Sequence, residues 1–282
     1  MDQLDVRVTA EGTTAQAPRQ VIVAVDRSPF ADRALRPAVA VACRIGATVS
    51  ELSVVGDGDD VAGAEVPARR WDGTAVDPVT VVGDNAGVAI VEYVAGRPDC
   101  LVCLASHGRR WPASSLIGST AATVVAGSAQ PVLVVGPSVE PAWDLGGRVV
   151  VCVDGDAVPP ELLDVAVRWA GLLDARLDVV MVVEPVPASS GARRSDDPEA
   201  YMAGVVSSLQ ARVADVDGHV IFDTIGPAPG VRSWLHADPV GLVLVAGHAR
   251  PGRAEIPLGH RAMQIIHSSP LPTLVVPVVS VR

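Results

Sequence analysis

The chain has 282 residues, 49% of them hydrophobic, which is enough for two domains with full cores. Its formal charge is −10, and all 22 basic residues are arginine. An acidic chain without a basic stripe speaks against nucleic acid, and the lack of lysine excludes a Walker A phosphate loop. No apolar run approaches the ~20 residues that span a bilayer, and residues 1–20 are polar with no signal-peptide core. The expectation is a cytoplasmic protein that does not enter the membrane.

Residues 1–19 read as a flexible tail. Residues 21–26, VIVAVD, form a continuous apolar run ending in Asp26, which fits a strand buried on both faces. Ser28 and Pro29 open a helix whose apolar positions Ala34, Leu35, Ala38, Val39 and Ala42 share one face, and Gly46 stops it. Residues 47–55 are a second strand. Residues 56–77 are rich in Gly and Asp and read as loop with little helix. Within them, Gly56-Asp57-Gly58-Asp59-Asp60 resembles a cation loop but carries Ala62 and Ala68 where an EF-hand needs Gly and Glu, so a solvated turn is expected.

A third apolar run, residues 100–104, leads into Ala105-Ser106-His107-Gly108. Nine residues later comes Gly118-Ser119-Thr120, and a helix-like run follows to residue 126. This is strand, glycine-bearing loop and helix start. Small side chains let a ligand approach the backbone. The unpaired N–H groups and positive dipole end of a helix start, here Ser119 and Thr120, suit a phosphate. The same residues also suit an ordinary, well-capped strand-to-helix turn. His107 lies in the loop, where it can meet a phosphate, move a proton or cap backbone groups. Cys100 and Cys103 make a C-x-x-C pair, but they lie inside a strand, where positions three apart face opposite ways. Buried, inert thiols are expected rather than a redox or zinc site. The other histidines share no metal-ligand spacing, and no hydrolase triad is visible.

The second half repeats the first. Residues 149–154 answer 21–26, with Asp154 in the place of Asp26; residues 162–173 repeat the helix; residues 242–246 answer 101–105; and residues 272–276 answer 131–135. The offset is 128 residues at the acid (26 to 154) and 141 at the proline (131 to 272), so the second copy carries 13 extra residues. Residues 201–213 read as the fuller helix that accounts for them. Pro137, Pro141 and a Gly-Gly pair mark the linker. The division is a tail at 1–19, a first domain at 20–138, a linker at 139–147 and a second domain at 148–282. Strands alternating with helices imply parallel sheets, in which ligands bind beyond the strand carboxyl ends where strand order reverses.

These residues resemble the universal stress protein family, twice over residues 20–282. The family's nucleotide signature is Gly-x-x-Gly, nine residues, then Gly-Ser or Gly-Thr; the first copy has Ala105-x-x-Gly108, nine residues, Gly118-Ser119. The resemblance implies two Rossmann-like α/β domains of the adenine nucleotide alpha hydrolase-like kind, each a five-stranded parallel sheet in the order 3-2-1-4-5 flanked by helices. It implies ATP or a related adenine nucleotide in the first domain, with any Mg held through the phosphates. The phosphates would lie on Gly108, Gly118 and Ser119, beside Thr120, Ala105 and His107, and the adenosine near Val25, Asp26, Ser28 and Val54. The last strands, residues 131–135 and 272–276, resemble the family's pairing edge, so the halves would form an internal pseudo-dimer, with a homodimer of chains left open. The second copy reads Ala246-Gly247-His248-Ala249, nine residues, Gly259-His260, and is expected to bind nucleotide weakly or not at all. Arg109-Arg110-Trp111-Pro112 depart from the family loop; the arginines either neutralise phosphate or form a solvated patch. The function implied is a stress-response binding or regulatory module rather than a committed enzyme. A nucleotide-free interaction module and a slow ATPase are the alternatives.

Overall fold

The structure is a computed structural model describing residues 17–26, 28, 30–56, 68–107, 117–141, 143–155, 158–184, 197–236, 240–249 and 258–279. The first half runs β1 (Gln20–Val25), α1 (Leu35–Ile45), β2 (Thr48–Val55), β3 (Arg69–Trp71), β4 (Thr74–Val82), α2 (Ala86–Ala95), β5 (Cys100–Ala105), α3 (Ser119–Gly127) and β6 (Val132–Val135). The second half runs β7 (Arg148–Val153), α4 (Pro160–Leu173), β8 (Arg176–Val183), α5 (Pro198–Gln210), β9 (Val216–Phe222), α6 (Pro227–Leu235), β10 (Leu242–Ala249), α7 (His260–Ser268) and β11 (Thr273–Val279). A short 3-10 turn at Ala31–Ala34 leads into α1.

A five-stranded sheet was expected in each half, with the last strands as pairing edges; the strands form one eleven-stranded sheet, ordered β3-β4-β2-β1-β5-β6-β11-β10-β7-β8-β9. The pairing is parallel within each half except at β3, which runs antiparallel to β4. Strand β3 corrects the loop reading of 56–77: residues 69–77 belong to a hairpin turning at Asp72 and Gly73, both with positive φ. A three-residue strand is too short to show a period in sequence. Residues 57–60 of the supposed cation loop lie outside the described residues. The fuller helix of the second half is α5.

The halves meet where β6 pairs antiparallel with β11, placing Val134 opposite Thr273 and Val132 opposite Val275. The described linker residues are anchored at several points. Val139 and Trp143 are buried, the Trp143 indole donates to the Gly241 carbonyl at 2.9 Å, and Arg33 donates to the carbonyls of Pro137 and Val139. Gly136 lies so close to α7 that a Cβ would overlap the Ile266 carbonyl oxygen.

Strand side chains alternate between two apolar layers, as the period of two requires. Val21, Val23 and Val25 face the layer of α1, α4 and α5, while Ile22 and Ala24 face that of α2, α3, α6 and α7. Both layers continue across the seam. Strands covered on both faces need apolar residues at consecutive positions, and this accounts for runs such as VIVAV and LVCL.

The main interruption of this apolar pattern is Asp178, fully buried on β8. Arg148 donates to it through Nε at 2.6 Å, Arg176 lies at 3.2 Å and His219 Nε2 at 3.3 Å. The neighbouring Asp178, Asp217 and Asp215 carboxylates hold the Arg176 guanidinium above the usual arginine range against partial desolvation. The register-equivalent position of the first half is Ser50, whose hydroxyl accepts from Gln20 at 2.8 Å. Deleting a buried carboxylate leaves its arginines uncompensated. Asp178→Ala is therefore expected to lower the unfolding free energy by about 3 kcal/mol, and Ser50→Ala by only about 1 kcal/mol, as read from urea denaturation curves of the full chain.

Candidate functional site

Parallel pairing of β1 with β5 sets Ala24 beside Leu104. The chain therefore leaves both strands side by side, with Asp26 next to Ala105, Ser106 and His107. Pairing of β1 with β2 sets Val25 beside Ser53, so Val54 flanks Asp26 on its other side. The start of α3 closes the group. The Gly118 N–H donates to the Ser106 carbonyl at 2.6 Å, and a Cβ at Gly118 would come within 3.1 Å of that oxygen. The close turn is what requires glycine here, since its backbone (φ −71°, ψ 155°) is open to any residue.

Together these segments line a cavity of about 320 Å³. Of the ten residues expected from sequence, Val25, Asp26, Val54, Ala105, His107, Gly118, Ser119 and Thr120 line it. Ser28 is set back: it is buried, and its N–H donates to the Asp26 carboxylate at 3.0 Å, which orients that acid. Gly108 and the Arg109-to-Pro112 run lie outside the described residues. Gly118 differs from its expected role, because its N–H is already bonded to Ser106. The N–H groups without an acceptor inside the helix are those of Ser119, Thr120 and Ala121, since the first intrahelical bond runs from Ala122 to Gly118.

Sequence reasoning missed Ser106 and the apolar wall of Ala24, Ala86, Ile90, Leu104 and Ala121. Ser106 stood within the quoted loop and was recoverable. Ala86 and Ile90 were not, because they reach the cavity only through the docking of α2. Ser106 and His107 are both buried, and the Ser106 hydroxyl bonds His107 Nδ1 at 2.8 Å. The His107 ring meets that of His267, from α7 of the other half, edge-on with centroids 6.0 Å apart.

The second half has a cavity at the equivalent strand ends, of about 570 Å³, which includes Asp154, Ala246, Gly259, His260 and Arg261 in its lining. Thus Asp26 corresponds to Asp154, and Ser119 and Thr120 to His260 and Arg261. Among the described residues no group of three or more His, Cys, Asp or Glu is placed to hold a metal ion, and no helix is long and apolar enough to cross a membrane.

The same half-motif on both sides of a seam invites comparison with known proteins. The sequence profile of the universal stress protein family matches residues 59–136 and 147–277. The chain belongs to the universal stress protein family. Among solved structures, a universal stress protein from Archaeoglobus fulgidus DSM 4304 aligns with a TM-score of 0.65 at 15% identity, over 92% of this chain and 98% of that one. A structure described as a universal stress protein from Pseudomonas aeruginosa UCBPP-PA14 aligns with a TM-score of 0.57 at 16% identity, over 94% and 95%. A protein of unknown function from Pseudomonas aeruginosa PAO1 aligns with a TM-score of 0.58 at 17% identity, over 94% of each chain. At these identities the likeness shows the fold. No curated protein matches.

Three of the four thiols of this universal stress protein have raised pKa values. Burial, with a lesser contribution from Asp99, pushes the Cys100 thiol up to about 11; burial alone raises Cys103 further and pushes Cys152 up to about 12. Only Cys43 is exposed. A raised pKa keeps the thiol protonated and unreactive through neutral pH. One thiol per native chain is expected to react promptly with an aromatic disulfide reagent at pH 8, Cys152 at the wall of the second cavity slowly, and the buried Cys100 and Cys103 only in denaturant; Cys43→Ser is expected to abolish the fast phase.

Proposed function

We propose that the first half binds an adenine nucleotide, ATP or a close relative, in the cavity at the ends of β1 and β5. The observation that carries this reading is the convergence of Asp26, Val54, Ser119 and Thr120 on one cavity, although they come from separate parts of the sequence. Its volume lies within the range of small-molecule sites. The residues present fit such a ligand: an oriented carboxylate to accept from ribose hydroxyls, a small-residue apolar wall for a base, and a helix start with two hydroxyls for phosphate. Asp26, held by the Ser28 N–H, would fix the adenosine. The N–H groups of Ser119, Thr120 and Ala121 would meet the phosphates. Mg would enter on the phosphates, where it supplies charge neutralisation.

Each half is read as a Rossmann-like module of strand order 3-2-1-4-5, with β3 an added ribbon, and the two as an internal pseudo-dimer across β6 and β11. The protein acts in this reading as a cytoplasmic stress-response module that reports nucleotide by binding it, not as a committed enzyme. In support, the Ser106 hydroxyl occupies His107 Nδ1, which favours a positioning role for that ring.

Calorimetric titration of the full chain with Mg-ATP tests the reading. One site in the first half is expected, abolished by Gly118→Val and weakened about tenfold by Asp26→Ala, the scale of a hydrogen bond to a charged group. Unchanged thermal unfolding of Asp26→Ala keeps the result interpretable. No heat of binding at millimolar Mg-ATP would leave a nucleotide-free interaction module. Steady phosphate release that is lost in His107→Ala would make the protein a slow ATPase.

A further inference from the structure

The second cavity shares the skeleton of the first but not its chemistry. It is larger, about 570 Å³ against 320 Å³. Its walls come from both helical layers: Val158 and Leu162 from the α4 side, Val231 and Ile265 from α6 and α7, with Val180 from the sheet. The apolar wall of the first cavity is divided between four alanines and the larger Val25, Val54, Ile90 and Leu104. At the mouth, Ser119 and Thr120 are replaced by His260 and Arg261.

Charge decides what such a chamber takes. Arg261 is half exposed and lies 3.3 Å from the Glu184 carboxylate. By register with β7, Glu184 occupies the position that Gly56 holds in the first half, so Thr120 has no counterpart to this pair. The pair joins the end of β8 to the start of α7. Solvent at Arg261 screens the pair, so another carboxylate can displace Glu184. Asp154 also lines the cavity. Two carboxylates and one permanent cation disfavour a ligand carrying several negative charges, but they leave one exchangeable position for a single negative charge.

The geometry points to an amphipathic monoanion as the ligand of the second cavity: an acyl or aryl body against Leu162, Val180, Val231 and Ile265, and one carboxylate on Arg261 in place of Glu184. The apolar wall supplies the affinity by removing apolar surface from water. Arg261 supplies orientation and selection for charge. This site does not depend on nucleotide binding in the first half.

The probe is decanoate, titrated calorimetrically into the full chain below its micellar concentration, with and without saturating Mg-ATP. One site per chain is expected, unaffected by Mg-ATP. Arg261→Gln is expected to weaken binding about tenfold, the scale of a charge-assisted hydrogen bond, and decanol is expected to bind about as weakly as decanoate does to that variant. Glu184→Gln is expected to tighten binding, because it frees Arg261 from its competitor. Arg261 is half exposed and Glu184 one-third exposed, and equal melting temperatures confirm that neither substitution disturbs the fold. The opposite signs separate this site from nonspecific uptake of a fatty chain. No binding at millimolar decanoate, equal affinity in both variants, or displacement of decanoate by Mg-ATP would each overturn the proposal, the last in favour of a second nucleotide site.

Discussion

The antiparallel seam between β6 and β11 is the constraint on which the rest depends. Strand β6 has only four residues, all buried. Left as an edge, such a strand would expose apolar side chains and a row of unpaired N–H and C=O groups. Pairing with β11 removes both edges at once and lets each helical layer run continuously over both halves. The consequence reaches the candidate nucleotide site. Helix α3, whose start carries Ser119 and Thr120, packs on β10 and β11 of the second half as well as on β6. On the opposite layer, Arg44 of α1 donates to the Leu173 carbonyl at the end of α4. The first cavity is thus held in part by the other half.

The seam fixes a skeleton, and single side chains then set its chemistry. At strand ends where β1 and β5 part, the chain must leave the sheet, so a crevice forms whatever the local residues are. In the first half the crevice combines alanines with Val25, Val54, Ile90 and Leu104, and its helix start carries hydroxyls, which add donors without adding charge. In the second half Val158, Leu162 and Ile265 add branched wall, and the hydroxyls have become His260 and Arg261. The buried ionic cluster around Asp178 belongs to the same divergence, since the first half has only the neutral Gln20–Ser50 pair there. Gene duplication followed by such replacements keeps the scaffold while releasing one site from the requirement of the other.

How much of this was legible follows from what each feature depends on. The repeat, the strands and the helix faces are properties of local periodicity, and runs such as residues 21–25 and 242–246 declare buried strands directly. The site was legible where it consists of strand ends and the turn into a helix, because Asp26, Ala105 and Gly118-Ser119-Thr120 are contiguous signals. It was not legible where it depends on docking: Ala86 and Ile90 look like any apolar face of α2. The pairing of residues 131–135 with 272–276 was implied by the family resemblance alone, since nothing local in either run states which strand it meets. The bond between the Gly118 N–H and Ser106 was equally silent, because spacing cannot distinguish a glycine that makes room for a ligand from one that makes room for a carbonyl.

The direction of the seam has one more consequence. Apart from β3, strands are parallel within each half and antiparallel across β6 and β11, so the strand carboxyl ends of the two halves point opposite ways. The two cavities therefore open at opposite ends of the sheet, and no single ligand bridges them. Helix α7 nonetheless touches both: its first residues, His260 and Arg261, line the second cavity, and His267 near its end meets His107 beside the first. Energetic coupling through such a rod requires an element with two discrete arrangements. The packing leaves little freedom for a second one. Gly136 lies against the Ile266 carbonyl too closely to admit a Cβ, and the Ser138 hydroxyl donates to the His267 carbonyl at 2.8 Å. A helix pinned at its carboxyl end by the linker transmits support rather than signal. The two sites are therefore expected to fill independently, with the second half acting on the first through the seam it completes.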